Sequence, residues 1–106
     1  MSDLIVMSCP CPSQEVAAQI ARAALKARLV ACANLHGPMR SLYHWQSRIE
    51  DEPEWLVEMK SMRVHVPALV ALIRAEHPYE LPAITWVEAD AERETADWVK
   101  LETGLN

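Results

Sequence analysis

ACANLHGPMRSLYHWQSRIEDEPEWLVEMKSM, Ala31 to Met62, is the stretch that decides how this chain folds. It lacks a helical period and reads as two strands, Ala31 to Trp45 and Ile49 to Met62, joined near Gln46-Ser47-Arg48. In the second strand Trp55, Val57 and Met59 alternate with Glu58 and Lys60, the period of two that sets one face against a core and the other toward water. Both strands far exceed the usual length of about five or six residues. A hairpin that long overhangs the rest of its sheet, and its edge backbone groups must be covered or paired with another chain.

Helical patterns flank the hairpin on both sides. Upstream, Ser13 offers an N-cap oxygen and Glu15 a first-turn negative charge. The alanine-rich run that follows, to about Leu29, carries Val16, Ile20 and Ala24 on one side and Glu15, Gln19, Arg22 and Lys26 on the other. Downstream, Pro67 suits the first turn of a helix in which Val66, Leu69, Val70 and Ile73 fall at helical spacing, and Pro78 ends it. Further out lies the apolar run Leu4-Ile5-Val6-Met7, a buried strand followed by the proline-stiffened loop Cys9-Pro10-Cys11-Pro12. Ala83 to Ala89 reads as another strand, and Thr95 to about Thr103 as a short helix with Trp98 and Leu101 on one side and Gly104 as its stop. The order predicts one α+β domain over residues 1–106, ferredoxin-like βαββαβ with an extra C-terminal helix, its helices on one face of a four-stranded antiparallel sheet.

At 106 residues the chain is long enough for one domain and leaves much of its surface exposed unless subunits bury more. Its net charge of -5, with scattered Lys and Arg, argues against nucleic acid as a partner. The N-terminal MSDLIVMSC has an acidic residue where a signal peptide carries basic ones, and no apolar run has the length of a membrane span. Three cysteines form no paired framework, so reduced thiols and a cytoplasmic location are expected.

Few residues carry recognisable chemistry. Gly37 and Gly104 are the two glycines, which excludes Gly-rich phosphate loops and the Ser nucleophile elbow, and neither HExxH nor CxxC occurs. Cys9 and Cys11, two apart in extended backbone, point to one face and either share a soft metal or pack as small hydrophobes. Cys32, in ACANL, reads as core. His77 opens HPYELP at a helix end, where the dipole favours its protonated form. Glu50, Asp51, Glu52 and Glu54 read as a solvated turn, and the four tryptophans suit core or subunit interface.

Taken together, several motifs resemble the CutA family of divalent-cation-tolerance proteins: the first strand ending in Cys9, KARLVACANL (Lys26 to Leu35), SLYHWQSRIEDEPEW (Ser41 to Trp55), Lys60, HPYELP (His77 to Pro82) and Trp98. The resemblance implies a ferredoxin-like homotrimer whose long hairpins pair across subunits. It also implies a non-enzymatic response to metal ions without an organic cofactor, and Cu(II) binding, with Zn(II) as the alternative, at Cys9, His77 and Glu54. A second reading is a PII-like module that takes a small ligand in clefts lined by Tyr43, Trp45, Lys60 and Tyr79. A third is an enzyme pairing Cys9 with His77. The chain departs from the family pattern at Ser47, where a turn glycine is common, at His44, where an aromatic is frequent, at Pro53, expected to interrupt the strand beside Glu54, and at Cys11.

Overall fold

The computed structural model describes residues 3–105. In chain order these form β1 (Leu4–Cys11), α1 (Gln14–Lys26), β2 (Cys32–Trp45), β3 (Arg48–Met62), a 3-10 turn (Arg63–His65), α2 (Val66–Glu76), β4 (Thr85–Glu88) and α3 (Arg93–Glu102). The sheet runs β2-β3-β1-β4 with every neighbouring pair antiparallel.

Helix α1 starts where its sequence says. The Ser13 hydroxyl accepts the Val16 N–H at 3.2 Å, and Ala17, Ile20, Ala21 and Ala24 form the buried stripe. That stripe packs on one face of the sheet with Leu69 and Ile73 of α2, against Ile5, Met7, Cys9 and Cys11 of β1 and Val57 and Met59 of β3. These alternate residues of β1 are all fully buried.

Helix α3 corrects the expectation of helices on a single face. Its buried residue is Val99, which packs with Leu4 and Met62, cross-strand partners one step out of phase with Ile5 and Ser61 and therefore on the opposite face. Trp98 and Leu101, read as sharing one side of this helix, are 43% and 65% exposed. The Glu92 carboxylate caps the helix by accepting the Thr95 N–H at 3.1 Å.

Three further boundaries differ from the sequence reading. The Cys-Pro-Cys segment is strand: β1 pairs with β3 through Cys9↔Val57, Pro10↔Leu56 and Cys11↔Trp55. A proline is admissible there because the ladder with β4 has already ended at Ser8↔Thr85, leaving β1 one open side. Pro53 likewise leaves β3 unbroken. It pairs with Arg40, in the part of β3 beyond the end of β1, where β2 is the one neighbour. Strand β4 covers four residues instead of seven, matching the short register it shares with β1. Cys32, expected in the core, is half-buried.

The hairpin turns tightly on Gln46 and Ser47, with φ of 48° and 66°, between the closing pair Trp45↔Arg48. Positive φ at both central residues is the I′ geometry that matches strand twist. Ser47 thus occupies a glycine-favouring conformation, and the register on either side stays continuous back to Met39↔Glu54. Beyond that point Gly37 and Pro38 bulge opposite Trp55, across a cis peptide bond. A Cβ on Gly37 would stand 2.6 Å from the Trp55 ring, so the close approach of indole to backbone requires glycine.

Candidate functional site

The site grows around Pro10. Past Ser8↔Thr85 the β4 side of β1 lacks a strand neighbour, and a side chain takes over: His77 Nε2 lies 2.8 Å from the Pro10 carbonyl oxygen. Pro78 places that ring by ending α2, so His77 leaves the helix in extended backbone while its N–H still donates to the Ile73 carbonyl. The ring's Nδ1 accepts the Tyr79 N–H at 3.1 Å, so Nδ1 is unprotonated and Nε2–H donates to Pro10. His77 is therefore a 94% buried cross-link between β1 and the loop after α2.

Tyr79 stacks obliquely on His77, ring centroids 4.6 Å apart, and its hydroxyl donates to Glu54 Oε2 at 2.7 Å. This bond gives the buried Glu54 carboxylate, 4% exposed, a partner. Burial first, and then the bond to Glu54, pushes the Tyr79 phenol far above its ordinary 10.0. A folded-state pKa raised above the unfolded value means that the contribution to stability is complete below pH 10 and is lost as pH rises through the folded value. Alkaline absorbance titration of the two tyrosines should therefore show both ionising above the ordinary range, Tyr79 the later, and Tyr79→Phe should remove the later phase. Two ordinary tyrosine titrations in the native protein would contradict this.

Strand alternation separates the expected metal ligands. Cys9 and Cys11 leave β1 on the helix-covered face with Trp55 and Val57. Glu54, one residue before Trp55, leaves β3 on the other face, in phase with Tyr43 and Trp45 across the hairpin. His77 has both ring nitrogens committed to backbone groups. Among the described residues no three acidic, histidine or cysteine side chains converge to hold an ion. Cys9, Glu54 and His77 nonetheless stand at one end of the sheet, joined through the His77–Pro10 and Tyr79–Glu54 hydrogen bonds.

The two thiols act on each other. Hydrogen bonding with Cys11, then burial, pushes the Cys9 thiol far up, whereas the Cys9 S–H makes Cys11 the easier of the two to ionise. The Cys9–His77 couple that the third reading requires does not form, because the imidazole faces backbone groups and the Cys9 thiol is raised instead of activated.

Between the outer half of the hairpin and residues 78–85 lies an open groove of about 1080 Å³, lined among others by Arg40, Tyr43, Trp45, Glu54, Tyr79 and Pro82. Three of the four expected cleft residues are here. Lys60 is elsewhere, in mid-sheet between Val6 and Cys32. The Pro10 carbonyl and the Tyr79–Glu54 pair escaped sequence reading, since Tyr79 and Glu54 lie 25 positions apart and no local pattern joins them.

Residues 5–102 match the family model described as CutA1 divalent ion tolerance protein. Protein CutA of Mus musculus is 42% identical over 74 residues, 70% of this chain but 42% of its own length, so the match spans well under half of that relative. CutA from Xylella fastidiosa superposes with a TM-score of 0.92 at 32% identity, covering 96% of this chain and 99% of that one. A CutA structure from Archaeoglobus fulgidus, described as a periplasmic divalent cation tolerance protein, gives 0.91 at 26% identity over 94% and 98% of the two chains. With its fold matched along nearly its whole length and its sequence matched over residues 5–102, this chain belongs to the CutA1 divalent ion tolerance family.

Proposed function

We propose that the chain acts in divalent-cation tolerance as a non-enzymatic homotrimer that captures Cu(II), with Zn(II) as the alternative, at the sheet end around Pro10. The carrying observation is that Cys9, Glu54 and His77, distant in sequence, stand at the same end of the sheet, with His77 tied to the carbonyl of Pro10, the residue after Cys9, and Glu54 tied to Tyr79. Cys9 would supply a thiolate and His77 an imidazole nitrogen once it releases the Pro10 carbonyl. Glu54, at the groove wall, supplies a carboxylate that draws cations toward them. The trimer reading is supported by the outer half of β3 having β2 as its one neighbour, and by the exposed apolar residues Leu42, Ile49, Trp86 and Val87 on or beside open strands. No helix among the described residues is long and apolar enough to cross a membrane. The free, buried Cys9 and Cys11 favour a reducing compartment such as the cytoplasm.

Isothermal titration of Cu(II) and Zn(II) into the wild type, Cys9→Ser, His77→Ala and Glu54→Gln tests the site. Loss of a ligand should weaken binding by at least the roughly 10- to 100-fold seen for outer-shell partners. Unchanged affinity in all three variants would sink it. Mass measurement in solution checks the assembly, and a monomer would contradict it.

A second reading rests on the groove itself, whose aromatic walls and Arg40 suit a small anionic or planar ligand, as in PII-like modules. Thermal shifts across a metabolite panel would favour this reading if a ligand stabilises the wild type and not Trp45→Ala.

A further inference from the structure

We propose that Cys9 and Cys11 form a two-coordinate Cu(I) site on the helix-covered face of β1, separate in its donors from the groove. The departure of Cys11 from the family pattern is what makes the pair. Both side chains are fully buried, two residues apart on the same face of one strand, and the Cys11 thiol reaches back to the Cys9 carbonyl at 3.6 Å. Their spacing is fixed from both sides: Pro10 locks the φ of the residue between them, and His77 holds the Pro10 carbonyl at 2.8 Å. Sulfur positions set before binding reduce the ordering that a ligand must impose.

The coordination number selects the ion. Zn(II) in protein sites takes four donors and Cu(II) prefers a tetragonal set of nitrogen and oxygen, whereas soft thiolates select Cu(I). Around Cys9 and Cys11 the neighbours are apolar, Ala17, Ile20 and Val57 among them, and no third histidine, cysteine or carboxylate converges on them among the described residues. Alternation sends Glu54 to the other face, and the nitrogens of His77 are turned to backbone. Two thiolates around a monovalent ion leave a single net negative charge, one less than a bare dithiolate would place in a low-dielectric core. Binding forms two S–Cu bonds, releases both thiol protons and leaves the oxidation state of the metal unchanged.

This site shares Cys9 with the Cu(II) reading and takes neither His77 nor Glu54 as a ligand, so the two fail separately. Under anaerobic conditions, Cu(I) supplied as its acetonitrile complex is titrated into the pre-reduced full chain against the chromogenic chelator bicinchoninate. One Cu(I) per chain should resist competition, with a thiolate-to-copper charge-transfer band. Cys9→Ser and Cys11→Ser should each lose more than the roughly 10- to 100-fold typical of an outer-shell partner. Glu54→Gln and Cys32→Ser should keep the band and the stoichiometry. X-ray absorption of the wild-type complex should show two sulfur ligands without nitrogen, a readout that stands even if a cysteine variant misfolds. Wild-type Cu(I) affinity in a folded Cys11→Ser, loss of the site in Cys32→Ser, or a nitrogen ligand in the absorption spectrum would overturn the assignment. Failure of the Cu(II) site alone would show instead as unchanged Cu(II) affinity in His77→Ala and Glu54→Gln, with Cu(I) binding by the wild type intact.

Discussion

Ile20→Ala is expected to destabilise the folded chain by about 2–5 kcal/mol, the range for emptying a fully buried aliphatic position. Ile20 is completely buried in the centre of α1 and belongs to the cluster that includes β1, β3 and α2. Its truncation removes contacts to the sheet and to the neighbouring helix at once, and the surrounding side chains come from separate elements that cannot all collapse into the gap. The measurement is denaturant unfolding at one fixed protein concentration, since subunit association would make apparent stability concentration-dependent. For a domain of this size each kcal/mol lowers the melting temperature by about 4–8 °C. A loss below about 1 kcal/mol would mean that α1 does not dock as described. Leu25, on the same helix but 41% exposed, is the matched control and should respond weakly to the same truncation.

His77→Ala in metal-free protein is expected to cost about 2–4 kcal/mol, because it removes two hydrogen bonds and empties a buried ring site. The variant leaves the Pro10 carbonyl and the Tyr79 N–H without their partners and withdraws the ring on which Tyr79 rests. Tyr79 should then hold Glu54 less firmly, so the late tyrosine ionisation should move toward the ordinary range in the same variant. A residue whose one role is to bind metal gives a different result: little change of stability with chelator present, and a loss that appears with added ion. Comparing unfolding with and without Cu(II) separates the two roles. A change under about 0.5 kcal/mol in the metal-free comparison would show that these hydrogen bonds do not hold the sheet end together.

Most of the element order was legible because it rests on local signals. Ser13 and the alanine-rich stripe start α1, Pro67 and Pro78 bracket α2, and alternation from Trp55 to Lys60 declares a strand. The misreadings share one cause. Pro10 and Pro53 look like strand breakers in isolation, yet each sits where its strand has lost one neighbour, a fact about strand register that no local window contains. Trp98 and Leu101 are the larger residues of α3, but Val99 is the one that meets Leu4 and Met62, because the end of the sheet decides which side of that short helix is covered.

For the site the division is sharper. The sequence alone determined the candidates, Cys9, Cys11, Glu54, His77 and Tyr79, and, through the resemblance of several motifs along the chain, the family. Only the tertiary structure decided their relations. The period of two along β1 and β3 sends the thiols to one face and the Glu54 carboxylate to the other, and the end of the β4 ladder leaves the Pro10 carbonyl for the His77 imidazole to take. Residue identity is written in the chain, but hydrogen-bond partnership and facing depend on which strands lie side by side and where each pairing stops.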